Sequence, residues 1–484
     1  MRSSHKVCSC YAPHPSPCAD AQWYATAFKV KVQHQDPALA FMLRRVREPE
    51  LPVRGSVNGV PEHVWCDVWM NQVTVTDMPM SQLAANPEYG PAQYRDRKRW
   101  WWLLSVVFPL WPFAGMAAHA ASGLQIALGL PLLISYGIMP LLDYLIGEDE
   151  SNPPEAIVPQ LEEDRYYRWL TWATVPLHYV ALIGCAWWVG THSLSWWAVL
   201  LFAYVAGTDS GLGLNTGHEL GHKYNAVEQW LARLVLAVPA YGHFTVEHGR
   251  GHHRWVSTPE DHASARMGES IYRFALRELP GGIRRAWQIE NERLEKEKRS
   301  AWSLHNTMLQ SYAITALLQI GLVLAFGWVM LPFLAVHNLV AWWQLTSANY
   351  VEHYGLLRAR LPSGRYEAPQ PHHSWNANHV VTNLATFHLQ RHSDHHAHPS
   401  RRYQSLRHFE QLPQLPSGYF GMFPLAYVPA LWFKVMDPRL LALPHVKGEL
   451  SRVNIDPRRR EEIYARYGKL DSGDSPEGSD PHRR

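Results

Sequence analysis

Cysteine is scarce: a chain of 484 residues has five, at positions 8, 10, 18, 66 and 185, and no two form a CxxC pair. That spacing encodes neither a zinc ribbon nor a rubredoxin-type iron site. Cys185 lies inside an apolar run and the other four crowd toward the N-terminus, so a disulfide framework is not expected. Net charge is nearly absent as well, at +3, which leaves no electrostatic footprint for nucleic acid. The first residues carry no signal-peptide pattern.

Tryptophan, by contrast, is abundant. Many of the 22 residues flank apolar runs, where membrane-interface aromatics belong. Six runs approach the roughly 20 residues needed to cross a bilayer: 100–121, 124–146, 169–189, 194–214, 304–326 and 328–348. Short links without Lys or Arg, near 119–123, 190–193 and 326–329, join them into three hairpins. The opposite ends are basic, with Arg165, Arg168, Lys223 and the 283–299 stretch, which places them on the cytoplasmic side. Mean hydropathy is only -0.25, so the spans must alternate with large polar regions.

Three parts are expected. Residues 1–79, with Pro-rich and mixed segments, are expected to be a disordered extension or a mis-called start, the functional chain beginning near Met80. Residues 80–455 form the membrane domain, and 456–484 a polar tail that is disordered from about Leu470. Inside the membrane domain, 230–246 is too short to cross and is broken at Pro239, so it should be buried or dipping. The charged stretch 273–299 reads as a surface helix.

Four histidine clusters organise the chain. They are His218-Glu219-Leu220-Gly221-His222, then His248 with His252 and His253, then Glu352-His353-Tyr354-Gly355, and finally His392-Ser393-Asp394-His395-His396. Residues three and four apart share a helix face. His218 should therefore point with His222, His248 with His252, and His392 with His395 and His396. Nine imidazoles are too many for one metal and about right for two, and imidazole without thiolate suits zinc, copper, iron or nickel. Each cluster also carries an acid able to orient a ring nitrogen: Glu219, Glu247, Glu352 and Asp394. A lone histidine on an apolar helix is more often a core residue; four such clusters favour metal.

Nitrogen ligands at the ends of apolar helices put a metal beside a lipid-like cavity. Attack on an unactivated C–H bond needs oxygen activation, which points to iron or copper, and iron fits two imidazole-rich sites. His218 to His222 also matches H-E-x-x-H, the zinc-protease signature, with Glu219 as general base. That reading leaves most of the histidines idle. A metal transporter should place its sites at mid-membrane rather than at one face.

The four clusters, with Asn215-Thr216-Gly217, Gln344-Leu345-Thr346-Ser347-Ala348, Leu141-Leu142-Asp143 and Gly147-Glu148-Asp149, closely resemble the bacterial membrane-bound alkane 1-monooxygenases over residues 80 to 455. The resemblance implies an all-α integral membrane protein of six transmembrane helices in three hairpins. A cytoplasmic-face, histidine-rich di-iron domain would sit in the bacterial inner membrane among its lipid. It implies two non-haem Fe ions held by His218, His222, His248, His252, His253, His353, His392, His395 and His396, with no assignment to individual irons. It implies oxidation of an n-alkane to a primary alcohol by O2, with electrons from rubredoxin and its NAD(P)H-dependent reductase. A related membrane di-iron desaturase or hydroxylase is the alternative. Ser135 stands where some medium-chain relatives carry a bulky Trp, implying a deeper substrate channel. Lys223, Arg254 and Arg391 flank the clusters and suit either the docking of an acidic rubredoxin or contact with lipid headgroups. His243, His262, His372, His373, His379, His388 and His398 have no ligand role by this match.

Overall fold

The computed structural model describes residues 94–468 and, earlier in the chain, two strands, Ser56–Val57 and Val60–Pro61, that pair antiparallel. Apart from that pair, the expected extension lies outside the described residues, as does the tail from Leu470. The chain divides into two units, Met1–Glu88 and Tyr89–Arg484. All regular elements described in the second unit are helical.

Among the described residues, five helices are long and apolar enough to cross a membrane: α1 (Leu103–Ser122), α2 (Gln125–Ile146), α3 (Arg165–Thr191), α4 (Trp196–Gly221) and, further on, the helix Thr307–Phe326. The sixth expected run is also helical, Met330–His353. Its sequence is interrupted by His337, Asn338 and Gln344, and its last ten residues are buried and largely polar. This lowers its hydropathy below that of the other five. Side chains on the outer faces, such as Leu133, Leu145, Leu317 and Leu324, are exposed and apolar, as lipid contact requires.

Local chemistry sets the boundaries. Asp164 caps α3 by accepting from the Tyr166 N–H at 2.9 Å. After α4, Asn225 caps α5 (Ala226–Ala237) in the same way. That helix stops before Pro239, so the stretch expected to be buried does not cross. The charged stretch forms α6 (Ile271–Lys296), which buries one face from Ile271 and Phe274 to Leu294 and exposes charged residues such as Glu292 and Lys296 on the other. The helix Thr307–Phe326 is α7, and Met330–His353 is α8. Shorter helices follow: α9 (His392–Ala397), α10 (Tyr419–Ala426), α11 (Pro429–Leu441) and α12 (Arg460–Tyr467). Ile463 of α12 is buried in the same core cluster as Met267 and Trp432.

The pair α4 and α8 forms the axis of the unit. Gly207 and Gly211, four residues apart, let the two backbones approach: a β-carbon on Gly207 would lie 2.6 Å from the His337 carbonyl oxygen, and one on Gly211 2.5 Å from Gln344 Cβ. Close packing of this small-xxx-small kind brings membrane helices into register. Here it fixes the C-terminal ends of both helices, where His218 and His353 stand, beside each other.

Candidate metal centre

Each histidine cluster occupies a helix end or a short helix. His218 and His222 close α4, and His353 is the last residue of α8. Gly355, with φ 74°, turns the chain away after α8, and a β-carbon there would collide with Leu440. The second cluster lies on a π-helical turn, His248–His252, that follows the short helix Phe244–Glu247. The fourth is α9.

All nine histidines converge, in two groups. One holds His218, His222, His248, His253 and His395; the other holds His252, His353, His392 and His396. In each group the ligand atoms lie within 4.8 Å of one another. The second and fourth clusters are thus each divided between the groups. The sequence expectation placed His248 with His252, and His395 with His392 and His396. The His248 and His252 rings do lie side by side across the π turn, with centroids 5.1 Å apart, yet each turns its ligand nitrogen to a different group. The groups adjoin, with the ring centroids of His253 and His396 4.3 Å apart.

The nitrogens suit a metal better than they suit each other. His253 Nε2 is 3.0 Å from His248 Nε2 and 3.2 Å from His395 Nε2, while His392 Nε2 is 3.1 Å from His353 Nε2 and 3.0 Å from His396 Nε2. Metal–imidazole bonds of about 2.1 Å at right angles hold nitrogens about 3.0 Å apart. Buried Nε2 atoms of His218, His222 and His252 have no hydrogen-bond partner, which is costly unless a cation completes them. Burial, reinforced by neighbouring imidazoles, pushes His248, His253, His392, His395 and His396 well below the ordinary histidine range. They are therefore neutral, the state in which imidazole ligates.

The surrounding contacts differ from expectation. Asp261, which sequence reasoning missed, holds His252: Nδ1 lies 2.8 Å from its Oδ2, and Ser264 and Arg285 bind the same carboxylate at 2.7 and 3.1 Å. His353 Nδ1 lies 3.3 Å from the His373 carbonyl oxygen. Glu352 Oε2 approaches His392 at Nε2, the inward nitrogen, at 3.4 Å, and its Oε1 accepts from the Tyr419 hydroxyl at 2.8 Å. Glu219 pairs with Lys223 at 3.0 Å, Glu247 faces Arg285 at 3.6 Å, and Asp394 binds Arg401 and the Arg407 N–H. Only the position of Asp261, nine residues beyond His252 in a polar loop, hinted at its role.

Two expected docking cations are internal. Lys223 is buried and donates to the Ser400 and Arg401 carbonyls, and Arg391 is buried and donates to those of Asp149, Ser151 and Leu406. Arg254 is exposed, with its guanidinium over Trp255. A third set of possible ligand atoms, on Glu367, His372 and His373, is separate from the two groups, although the His373 backbone touches His353. There His373 Nδ1 accepts from the Gln370 N–H at 2.9 Å, so its Nε2 carries the proton and turns it toward Glu367.

Ser135 is buried on a π-helical turn of α2, Ile134–Ile138, and its hydroxyl donates to the Pro131 carbonyl at 2.9 Å. It lines a small pocket with Trp111, Leu132, Leu212 and Phe420 among its other walls.

A fatty acid desaturase family model matches residues 194–426, the segment that spans all four histidine clusters. Alkane 1-monooxygenase 1 of Alcanivorax borkumensis is 53% identical over 375 residues, covering 78% of this chain and 92% of the relative. The alkane 1-monooxygenase of Ectopseudomonas oleovorans is 51% identical over 383 residues, covering 79% and 95%. That of Pseudomonas putida is 52% identical over 375 residues, covering 78% and 93%. The chain belongs to the alkane 1-monooxygenase family. As a member of that family, it meets at the helix ends the two requirements its sequence announced: apolar membrane helices and histidine clusters able to hold metal.

Proposed function

We propose that the chain hydroxylates the terminal methyl of n-alkanes to primary alcohols, using O2 and electrons from a reduced rubredoxin that an NAD(P)H-dependent reductase regenerates. The observation that carries this reading is the convergence of nine buried imidazoles in a chain 51–53% identical to proteins named alkane 1-monooxygenase. His218, His222, His248, His253 and His395 would hold one iron, and His252, His353, His392 and His396 the other. Two non-haem irons bound there would supply the oxygen activation that an unactivated C–H bond requires.

The chain's own residues prepare the site. Neutral, buried imidazoles keep their lone pairs directed inward, and Asp261 accepts the His252 Nδ1–H so that Nε2 faces the group. Burial of both groups excludes water from the reacting methyl. The apolar outer faces of the helices admit a chain drawn from the bilayer, and the small Ser135 leaves its cavity open in depth.

The topology we favour keeps α8 as a sixth span completing three hairpins in the bacterial inner membrane. Basic ends such as Arg165 and Arg168 then face the cytoplasm together with the histidines. Exposed Arg254 beside the second cluster offers the donor protein a positive charge.

Membranes containing the chain, supplied with rubredoxin, its reductase, NAD(P)H and isotopically labelled O2, test the reading. Labelled 1-alkanol is the expected product. An unlabelled alcohol, or a double bond in place of the hydroxyl, overturns it in favour of a related desaturase.

A further inference from the structure

A line of hydrogen bonds runs from the second histidine group toward the surface. Tyr354 follows His353 directly at the end of α8 and is fully buried. Its hydroxyl accepts from the Gly268 N–H at 2.9 Å and donates to Asp437 Oδ1 of α11 at 2.8 Å. The other oxygen of that carboxylate accepts from the Tyr467 hydroxyl at 3.3 Å. Tyr467 closes α12 and is half-buried. One buried carboxylate therefore joins a phenol beside a histidine of the centre to a phenol within reach of solvent.

Packing alone does not call for this carboxylate. Burying one is costly, and its neighbours Met436 and Leu440 fill the same core with apolar side chains. Burial pushes the Asp437 carboxyl up to about 6, which makes it a readier proton acceptor than an ordinary aspartate. Around Tyr354 the rings are close: centroids lie 5.5 Å from Tyr350 and 5.3 Å from Trp432, with 5.0 Å between those two. A phenol yields an electron only to a strong oxidant, and readily only when its proton can leave at the same time. Tyr354 stands beside a group able to hold a redox metal and already points its proton at an acceptor. Such a residue is too hard to oxidise to relay electrons inward from a mild donor; it passes oxidising equivalents outward.

We propose that Tyr354, Asp437 and Tyr467 form an exit route for oxidising equivalents, which spares the histidines when O2 is activated with no alkane bound. In each passage Tyr354 gives one electron to the oxidised centre and its proton to Asp437. Tyr467 then gives an electron to Tyr354, which takes its proton back from Asp437, and Asp437 accepts the Tyr467 proton and releases it to water. A soluble thiol returns one hydrogen atom to Tyr467, and two thiols oxidised in this way couple to a disulfide. Two passages, with two further electrons from the one-electron donor protein and four protons, reduce one O2 to two waters. The proposal rests on the alkane-hydroxylating reading above.

The full-length protein, loaded with iron, reduced, mixed with O2 in the absence of alkane and freeze-quenched for electron paramagnetic resonance, tests it. Wild type should show a tyrosyl radical whose signal narrows when its tyrosines are ring-deuterated. Tyr354→Phe should lose that signal, and Asp437→Asn, which cannot take the proton, should lose most of it. Tyr467→Phe should keep the radical and lengthen its life, since the hole stops at Tyr354. Peptide mass spectrometry gives a second readout: oxidised histidines should accumulate faster in all three variants than in wild type. A radical undiminished in both Tyr354→Phe and Asp437→Asn overturns the proposal, because a merely structural triad would leave the signal where it was. Should those variants fail to assemble, wild type decides: O2 consumed without alkane and without a tyrosyl radical also overturns it. Alkane left unoxidised by the same preparation with its donor system would remove the alkane-hydroxylating reading, and this proposal with it.

Discussion

Asp261 Oδ2 lies 2.8 Å from Nδ1 of His252, and through that bond a loop carboxylate fixes which nitrogen of the imidazole faces the second histidine group. Carboxylates in this position typically hold a ligand's affinity for metal to within a factor of 10–100. Asp261→Asn is accordingly expected to lower affinity at that group by about 10- to 100-fold. Chelator competition followed by iron quantification measures it; metal retained as in wild type would contradict the role.

The two groups share no histidine, which separates their fates. His222→Ala removes a ligand from the first group only, and His353→Ala from the second only. Each variant should lose the metal of its own group and most of the hydroxylase activity. Mössbauer spectra of the two iron-loaded variants should show different surviving sites, and identical residual spectra would show that the division is wrong.

Helix packing gives a stability prediction. A β-carbon at Gly211 would sit 2.5 Å from Gln344 Cβ, so Gly211→Ala should destabilise the α4–α8 pair by about 1–3 kcal/mol. Thermal unfolding in detergent reports it directly. An unchanged midpoint would mean the helices are not this closely packed.

A buried ion pair gives another. Glu228 of α5 is fully buried and takes both Arg402 nitrogens, at 2.8 and 3.0 Å, with the Trp172 indole at 3.2 Å. Glu228→Ala strands the guanidinium and should cost about 3–5 kcal/mol. The double variant Glu228→Leu with Arg402→Met should recover most of that loss, measured in the same unfolding assay.

Chain length is the fifth. A Trp at position 135 would project into the small pocket that Ser135 lines with Leu212 and Phe420. Ser135→Trp is therefore expected to shift the preferred n-alkane to shorter chains. Competition among alkanes of graded length reads the shift, and an unaltered profile would place the substrate elsewhere.

The sequence made the nine histidines legible because clusters at helical spacing are rare and each recurs near an apolar run. It did not reveal their division. His248 and His252 do share a face, with ring centroids 5.1 Å apart, but the two groups adjoin so closely that neighbours on one face, like His392 and His395, serve different groups. Asp261 escaped notice because its contact to His252 depends on how a polar loop folds back, which no periodicity encodes. Lys223 and Arg391 read as surface cations by composition, yet they spend their donors on buried carbonyls of neighbouring loops. The run at 328–348 read as a sixth span, but its C-terminal extension through His353 is a buried polar segment of the centre itself.

Metal and product measured on one sample test the central claim most directly. Purified protein would be stripped of metal, titrated with ferrous iron, and assayed at each step for bound iron and for 1-alkanol formed from an n-alkane with the rubredoxin system. The account predicts two irons per chain at saturation, with alkanol formation rising only as the second group fills. Saturation at a single metal, or full activity with one group empty, would contradict it.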